Sequence, residues 1–266
     1  MFSYDRRLAL RLLRARLIAQ CCPSSQALHQ LTRLELKCDR AISRRSDFAD
    51  ILSRTHVNRV FVMGCGRSGT WLAYSLLSMA QDAYFTFEEV DVGRFARIRS
   101  RKAHHLLKRN SKSFEAAHSI PTSVGILWLV RHPFDVLTSQ HPGKGQRQFH
   151  IHPQRWNGEM DALRKFHESG RPNGMVIRYE DLVNDPERIV SEIAATFSLT
   201  IRNVDQWVKA PIPAYVGRAM HGVRPICARS VNRWKSDPDL AVYLDEILPI
   251  IQLRAEWVSK AFHYDL

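Results

Sequence analysis

A short apolar run in this chain stops abruptly at a glycine-rich turn: residues 59–71 read RVFVMGCGRSGTW. Few local patterns constrain a fold more tightly. An apolar segment of buried-strand character is followed by Gly64, Gly66 and Gly69, and then by a helix-forming stretch that starts at Thr70. This is the strand–loop–helix unit of an α/β protein. Such a turn brings successive backbone N–H groups toward one point, and the helix N-terminus adds its own positive end. Arg67 adds a full charge and a planar fork of donors. The product is an anion cradle.

The spacing bears on which anion. A nucleoside-triphosphate loop reads GxxxxGK[ST]. Gly64 and Gly69 have that separation, but Thr70 occupies the lysine's place. The dinucleotide pattern GxGxxG matches Gly64, Gly66 and Gly69, and Glu88 or Glu89 stands where that fold wants an acid. On this motif alone a dehydrogenase and an ATP-dependent phosphotransferase both stay open.

The rest of the chain continues the alternation. AYFTFEEV (83–90), GILWLV (125–130) and MVIRY (175–179) read as strands. Helices are expected over 70–80, from Pro133, over 158–168, from Pro186, over 240–251 and around Trp257. The predicted fold is α/β: a three-layer, P-loop-type arrangement with a central parallel sheet flanked by helices, its ligands beyond the carboxyl ends of the strands. Residues 91–112 read as a basic helix, with RKAHHLLKRN as its solvated face. Residues 141–157 read as a long polar loop of the kind that forms lids, and 211–232 as irregular. Residues 1–50 read as a basic helical N-terminal extension, expected to pack on a main domain of residues 51–266.

Charge narrows the partners. The 39 Lys and Arg against 26 Asp and Glu leave a net charge of +13, which favours anionic ligands. The arginine- and leucine-rich start is expected to pack its leucines on the body of the protein, the alternatives being peripheral contact with an anionic membrane or a transit-like peptide. No apolar window of about 20 residues is present, so no transmembrane span is expected. Cys21, Cys22, Cys38, Cys65 and Cys227 are odd in number and form no CxxC or Cys/His cluster. That points to a reducing, cytoplasmic setting without structural zinc. His141, His150 and His152 lack an acidic or cysteine complement and read as lid residues, so no metal is expected. Trp156, Trp234 and Trp257 read as packing anchors.

Two further segments discriminate among the anions. In LWLVRHPFDVLTSQH, Arg131 directly follows a strand and Ser139 comes eight residues later, about two helical turns on and facing a similar side. An arginine ending a buried strand is costly unless it meets an anion or a carboxylate. In MVIRYEDLVNDP, Tyr179, Glu180 and Asp181 sit at the end of another strand.

With these motifs in order, the chain from about residue 60 onward resembles the sulfotransferases that use 3'-phosphoadenosine 5'-phosphosulfate (PAPS). GRSGTWL is similar to their 5'-phosphosulfate loop, VRHPFDVLTS to their 3'-phosphate motif, RYEDLVNDP to a segment of most members, and SVNRWK (230–235) to the late loop that closes over the cofactor. The resemblance implies that Arg67, Ser68, Gly69 and Thr70 hold the 5'-phosphosulfate end and that Trp71 flanks the nucleotide. On the same resemblance Arg131 and Ser139 would bind the 3'-phosphate, with Arg229, Ser230 and Arg233 as candidates to complete that pocket. Tyr179 would lie near the adenine, and Trp234 would belong to the closing loop. Arginine at position 67 is the form seen in the protein-tyrosine, some carbohydrate and bacterial branches. Most members have two threonines before the tryptophan, where this chain has only Thr70.

The implied reaction is in-line transfer of a sulfuryl group from PAPS to a hydroxyl or amine, leaving adenosine 3',5'-bisphosphate. Loop N–H groups and Arg67 would face the charge that builds on oxygen. A base must take the acceptor's proton. Glu88, at the end of the second strand and beside the glycine-rich turn, is the first candidate. Glu89 should point to the opposite face. His118, just before the central strand, is the alternative, followed by His104 and His105. The acceptor is a carbohydrate, a peptide or a small molecule, and no nucleic acid is expected. The remaining alternative is a non-catalytic protein that binds anions, nucleic acid or a membrane surface.

Overall fold

The apolar run becomes β1 (Asn58–Gly64), buried along all but its first residue. The structure is a computed structural model that describes residues 57–90 (Glu88 in its backbone only), 98, 100–109, 117–118, 120–140, 149–201, 204–209, 212–220 and 222–266. β1 is the middle of a five-stranded sheet with β2 (Ala83–Val90), β3 (His104–Arg109), β4 (Val124–Val130) and β5 (Gly174–Arg178), in the order β2-β3-β1-β4-β5. β1 runs parallel to β3 and β4, and β4 runs parallel to β5. Seven α-helices accompany it among the described residues: α1 (Thr70–Leu77), α2 (Pro133–Leu137), α3 (Pro153–Glu168), α4 (Tyr179–Asn184), α5 (Pro186–Thr196), α6 (Ala214–Ala219) and α7 (Pro238–Phe262).

The pleat sorts the sheet into two faces. Val60, Val62, Leu106, Leu127, Leu129 and Ile177 pack with Ala73, Leu76 and Leu77 of α1 and with Ile189, Val190 and Ile193 of α5. Trp128 points the other way, its ring 5.3 Å from Phe166 of α3. Helix α3 buries Trp156, Met160, Leu163 and Phe166, a helical stripe, and α7 packs along it. Helices thus flank a parallel sheet, the expected P-loop-type architecture.

Four local expectations need correction. The basic run 104–109 is a strand, not a solvated helical face: Leu106, Leu107, Lys108 and Arg109 are all buried. Burial is tolerable because Lys108 pairs with Glu89 and Arg109 with Glu159, partners that a charge count along the chain does not reveal. This strand lies between β2 and β1, so β2 is the edge strand and does not adjoin the glycine-rich turn. Helix α3 begins at Pro153, five residues before the expected Gly158, with the proline in its first turn. The two expected C-terminal helices are one, α7, which starts at an Asp237 cap and carries Pro249 inside it.

The chain divides into two compact units, Met1–Thr55 with Val90–Arg99 and His56–Glu89 with Ser100–Leu266. The expected N-terminal extension and its membrane contact lie outside the described residues, as do the proposed lid residues 141–148. Among the described residues no helix is long and apolar enough to cross a membrane.

Candidate anion-binding site

The turn after β1 has the backbone that its glycines foretold. Gly64 has φ 145°, and a Cβ there would meet Leu129 O and Ser68 Oγ at 2.7 Å. Gly69, at φ 88°, caps α1, and a Cβ on it would overlap the Tyr179 ring. Arg67 itself sits at φ 70°. No side chain caps α1 among the described residues and no acidic residue stands in its first turn, so its first N–H groups stay available to an anion.

These elements line a cavity of about 400 Å3. Arg67, Gly69, Thr70 and Trp71 come from the turn, Arg131 and Ser139 from either side of α2, Tyr179 from the start of α4, and Arg229, Ser230 and Arg233 from the late loop. Ten residues singled out in the sequence therefore meet at one place. Ser68 does not join them. It is buried, its N–H donates to Cys65 O at 3.1 Å and its Oγ donates to the same oxygen at 2.7 Å. Its side chain holds the turn in shape.

Five arginines and two aspartates line the cavity, a formal excess of three positive charges. Two guanidinium groups dominate. Arg67 Nε donates to Ser139 Oγ at 2.9 Å, and one of its terminal nitrogens donates to Ala219 O at 3.0 Å. Burial, and after it the charge of Arg131, pulls the Arg67 guanidinium down to about 10. Arg131 donates to Arg67 O at 3.1 Å and to Ser230 O, and lies 4.5 Å over the Tyr179 ring. Its carboxylate partner is Asp135, at 3.6 Å. Two cations held this close are relieved by a bound anion.

Asp135 went unnoticed in the sequence, although it stands four residues after Arg131. It accepts from Asn232 N at 2.9 Å and Arg233 N at 3.0 Å and so ties the late loop to α2. Tyr179 OH and Ser230 Oγ, 2.6 Å apart, add a second tie. Trp234 stacks on His132 with ring centroids 5.4 Å apart and meets Phe134 edge-on. His132 Nδ1 accepts from Phe134 N–H while Nε2 lies 2.6 Å from Asp265 O, which requires the hydrogen on Nε2. Burial pushes the His132 imidazole below its ordinary value.

The proton-acceptor candidates fare differently. His118 is exposed and precedes β4, so it lies on the amino-terminal side of the sheet and not at the cavity. His104 and His105 open β3 on that same side, His104 against Asn58 at 3.0 Å. Glu88 lies on edge strand β2, and its side chain is outside the described residues. Its neighbour Glu89 forms an ion pair with Lys108. Lys108 Nζ sits 4.5 Å from the Trp71 ring centroid. Burial pulls this ammonium down against the upward pull of Glu89. Sequence reading missed Lys108 because its strand resembled a charged surface. The available signal was two leucines directly before two cations. Among the described residues no three His, Cys, Asp or Glu side chains are grouped to hold a metal.

No protein-family model matches the sequence, and no curated protein matches it. Solved structures do match in fold. The sulfotransferase domain of the Synechococcus PCC 7002 olefin synthase is 15% identical over 79% of this chain and 97% of that chain, with a TM-score of 0.55. The sulfotransferase domain from the curacin biosynthetic pathway is 16% identical over 79% of this chain and 99% of that chain, with a TM-score of 0.50. At such identities the likeness is one of fold: this chain is similar in architecture to sulfotransferase domains.

Proposed function

We propose that the protein is a PAPS-dependent sulfotransferase acting on a hydroxyl or amine of a carbohydrate, a peptide or a small molecule. The observation that carries this reading is the convergence of Arg67 and Arg131 on one cavity beside the uncapped start of α1. A nucleotide charged at both ends suits that arrangement. Arg131 and Ser139 would take the 3'-phosphate. Thr70 and the N–H groups at the start of α1 would take the 5'-phosphosulfate, with Arg67 between the two ends. Tyr179, under the Arg131 guanidinium, offers a ring face toward the adenine.

When bound, PAPS would supply the sulfuryl group, the sulfur–oxygen bond to its phosphate being exchanged for one to the acceptor oxygen or nitrogen with release of the acceptor's proton. The residues must aim donors at oxygens that gain charge and provide a place for that proton. Arg67 and the turn N–H groups do the first. A carboxylate of β2 does the second. Glu88 is one candidate, and Glu89 gains support from its ion pair with Lys108 beside Trp71.

Calorimetric titration tests the cofactor. Adenosine 3',5'-bisphosphate should bind tightly and 5'-AMP weakly. Arg131→Ala should weaken the bisphosphate by about 100-fold, the scale of a lost charge-assisted contact, while leaving 5'-AMP nearly unchanged. Equal binding of the two nucleotides would overturn the assignment. Glu88→Gln and Glu89→Gln then identify the base. Loss of turnover by about 100-fold with bisphosphate binding intact marks the proton acceptor. Full activity in both variants would remove β2 from the chemistry.

A further inference from the structure

Strand β3 ends in two consecutive cations, and the pleat sends them to opposite faces. Lys108 is level with Val62 and turns toward Trp71. Arg109 turns toward α3, where it is 3% exposed and paired with Glu159, itself fully buried. The same Arg109 nitrogen that meets Glu159 also donates to the carbonyl of Gly64, the residue at which β1 becomes the turn. Glu159 accepts a second, longer contact from Arg155 at 3.4 Å. Arg155 in turn reaches the outside of the turn, 3.6 Å from where a Cβ on Gly66 would stand. Neither Arg109 nor Glu159 lines the cavity.

A buried ion pair is a poor source of stability, since an apolar pair of similar size often serves as well or better. A buried carbonyl at a strand end, in contrast, needs a donor. Gly64, at φ 145°, has left regular strand geometry, and Arg109 supplies that donor. Glu159 holds the guanidinium in place and neutralises it.

We infer that Arg109 and Glu159 are positioning residues for the glycine-rich turn: they tie the Gly64 carbonyl to α3 and so aim the N–H groups of residues 66–70 at the 5' end of the ligand. This rests on the reading of the turn as the 5'-phosphosulfate site.

The experiment compares the unaltered protein with Glu159→Gln, which keeps the shape, and with the double variant Arg109→Met plus Glu159→Leu, which fills the space with apolar atoms. Two quantities are read. The first is the affinity for adenosine 3',5'-bisphosphate relative to adenosine 3'-monophosphate, which lacks the 5' phosphate. The second is amide hydrogen exchange of residues 66–70 in the ligand-free protein. Positioning predicts that the affinity ratio falls by about tenfold while the monophosphate affinity holds, and that exchange in the turn rises while β4 stays protected. A purely structural role would weaken both nucleotides alike, or neither, and leave the turn's exchange tracking that of β4. Either result overturns the inference. Should wild type show no preference for the bisphosphate, the cofactor reading fails, and the exchange measurement still decides what Arg109 and Glu159 do. Should the double variant not fold, Glu159→Gln decides alone.

Discussion

The turn Gly64–Thr70 and the late loop Arg229–Ser236 line the same cavity, yet they are held by different means. The turn takes its shape from its own backbone, with glycines in conformations that other residues rarely adopt and a serine bonded back to Cys65, and Arg109 and Arg131 reach only its Gly64 and Arg67 carbonyls from outside. The late loop has little regular structure beyond the short 3-10 turn Arg233–Ser236. It is held by side chains that reach it from elsewhere: the Asp135 carboxylate, the Arg131 guanidinium and the Tyr179 hydroxyl. The backbone shape of one wall is therefore written locally. The other exists only once the chain has folded around it.

That contrast can be broken most severely at Gly69. A methyl group there would enter the Tyr179 ring, and the residue's φ of 88° disfavours any side chain. Gly69→Ala should cost about 3 kcal/mol of stability or, if the turn yields instead, about 100-fold in bisphosphate affinity. Thermal melts and calorimetry together show which. Normal values in both would mean that the turn is softer than its geometry suggests.

The tertiary wall is tested at Asp135. Asp135→Asn keeps the shape but has one acceptor oxygen where the carboxylate has two, so it loses one of the two hydrogen bonds to the late loop and weakens the other, a loss of about 1–2 kcal/mol. Bisphosphate affinity should fall by roughly tenfold, and Trp234 should become more accessible to a fluorescence quencher. Tighter binding would sink this account, because it would show Asp135 acting chiefly as the counter-charge of Arg131 and not as a tether.

The smallest effect concerns the platform under that loop. Trp234 rests on His132, whose imidazole burial holds below its ordinary value near 6.5. The unfolded chain therefore takes up this proton first as the pH falls. Stability contributed here is present above about pH 6.5 and is lost as the pH drops toward the lower folded value. His132→Asn, which keeps a cap acceptor at the start of α2, should flatten the fall in melting temperature between pH 7.5 and 5.5. An unchanged slope would place the pH response elsewhere, with the similarly depressed His105 as the next group to test.

How much was legible follows the same division. The strand–turn–helix unit was readable because it is set within about ten residues of chain. Arg131 and Ser139 do reach one cavity, but not by helical spacing: α2 spans only Pro133–Leu137, and Ser139, beyond its end, meets Arg67. Strand β3 was misread because its charges looked like solvated ones. Glu89 lies 19 residues from Lys108, and Glu159 lies 50 from Arg109, so no local pattern connects them. The same holds for His118. Its nearness to β4 in sequence was real, but a parallel sheet separates the two ends of a strand by its full length.

By itself, then, the sequence determined the α/β alternation, the backbone of the glycine-rich turn and the chain's excess of positive charge. Those properties depend on residue type, on local φ and on composition, all of which survive without knowledge of neighbours. The tertiary structure alone decided that β3 stands between β1 and β2. It also decided that Asp135 tethers the late loop, and that a buried arginine and glutamate meet behind the turn. Each of these rests on a contact between distant segments, and such contacts are chosen by the packing of the whole sheet.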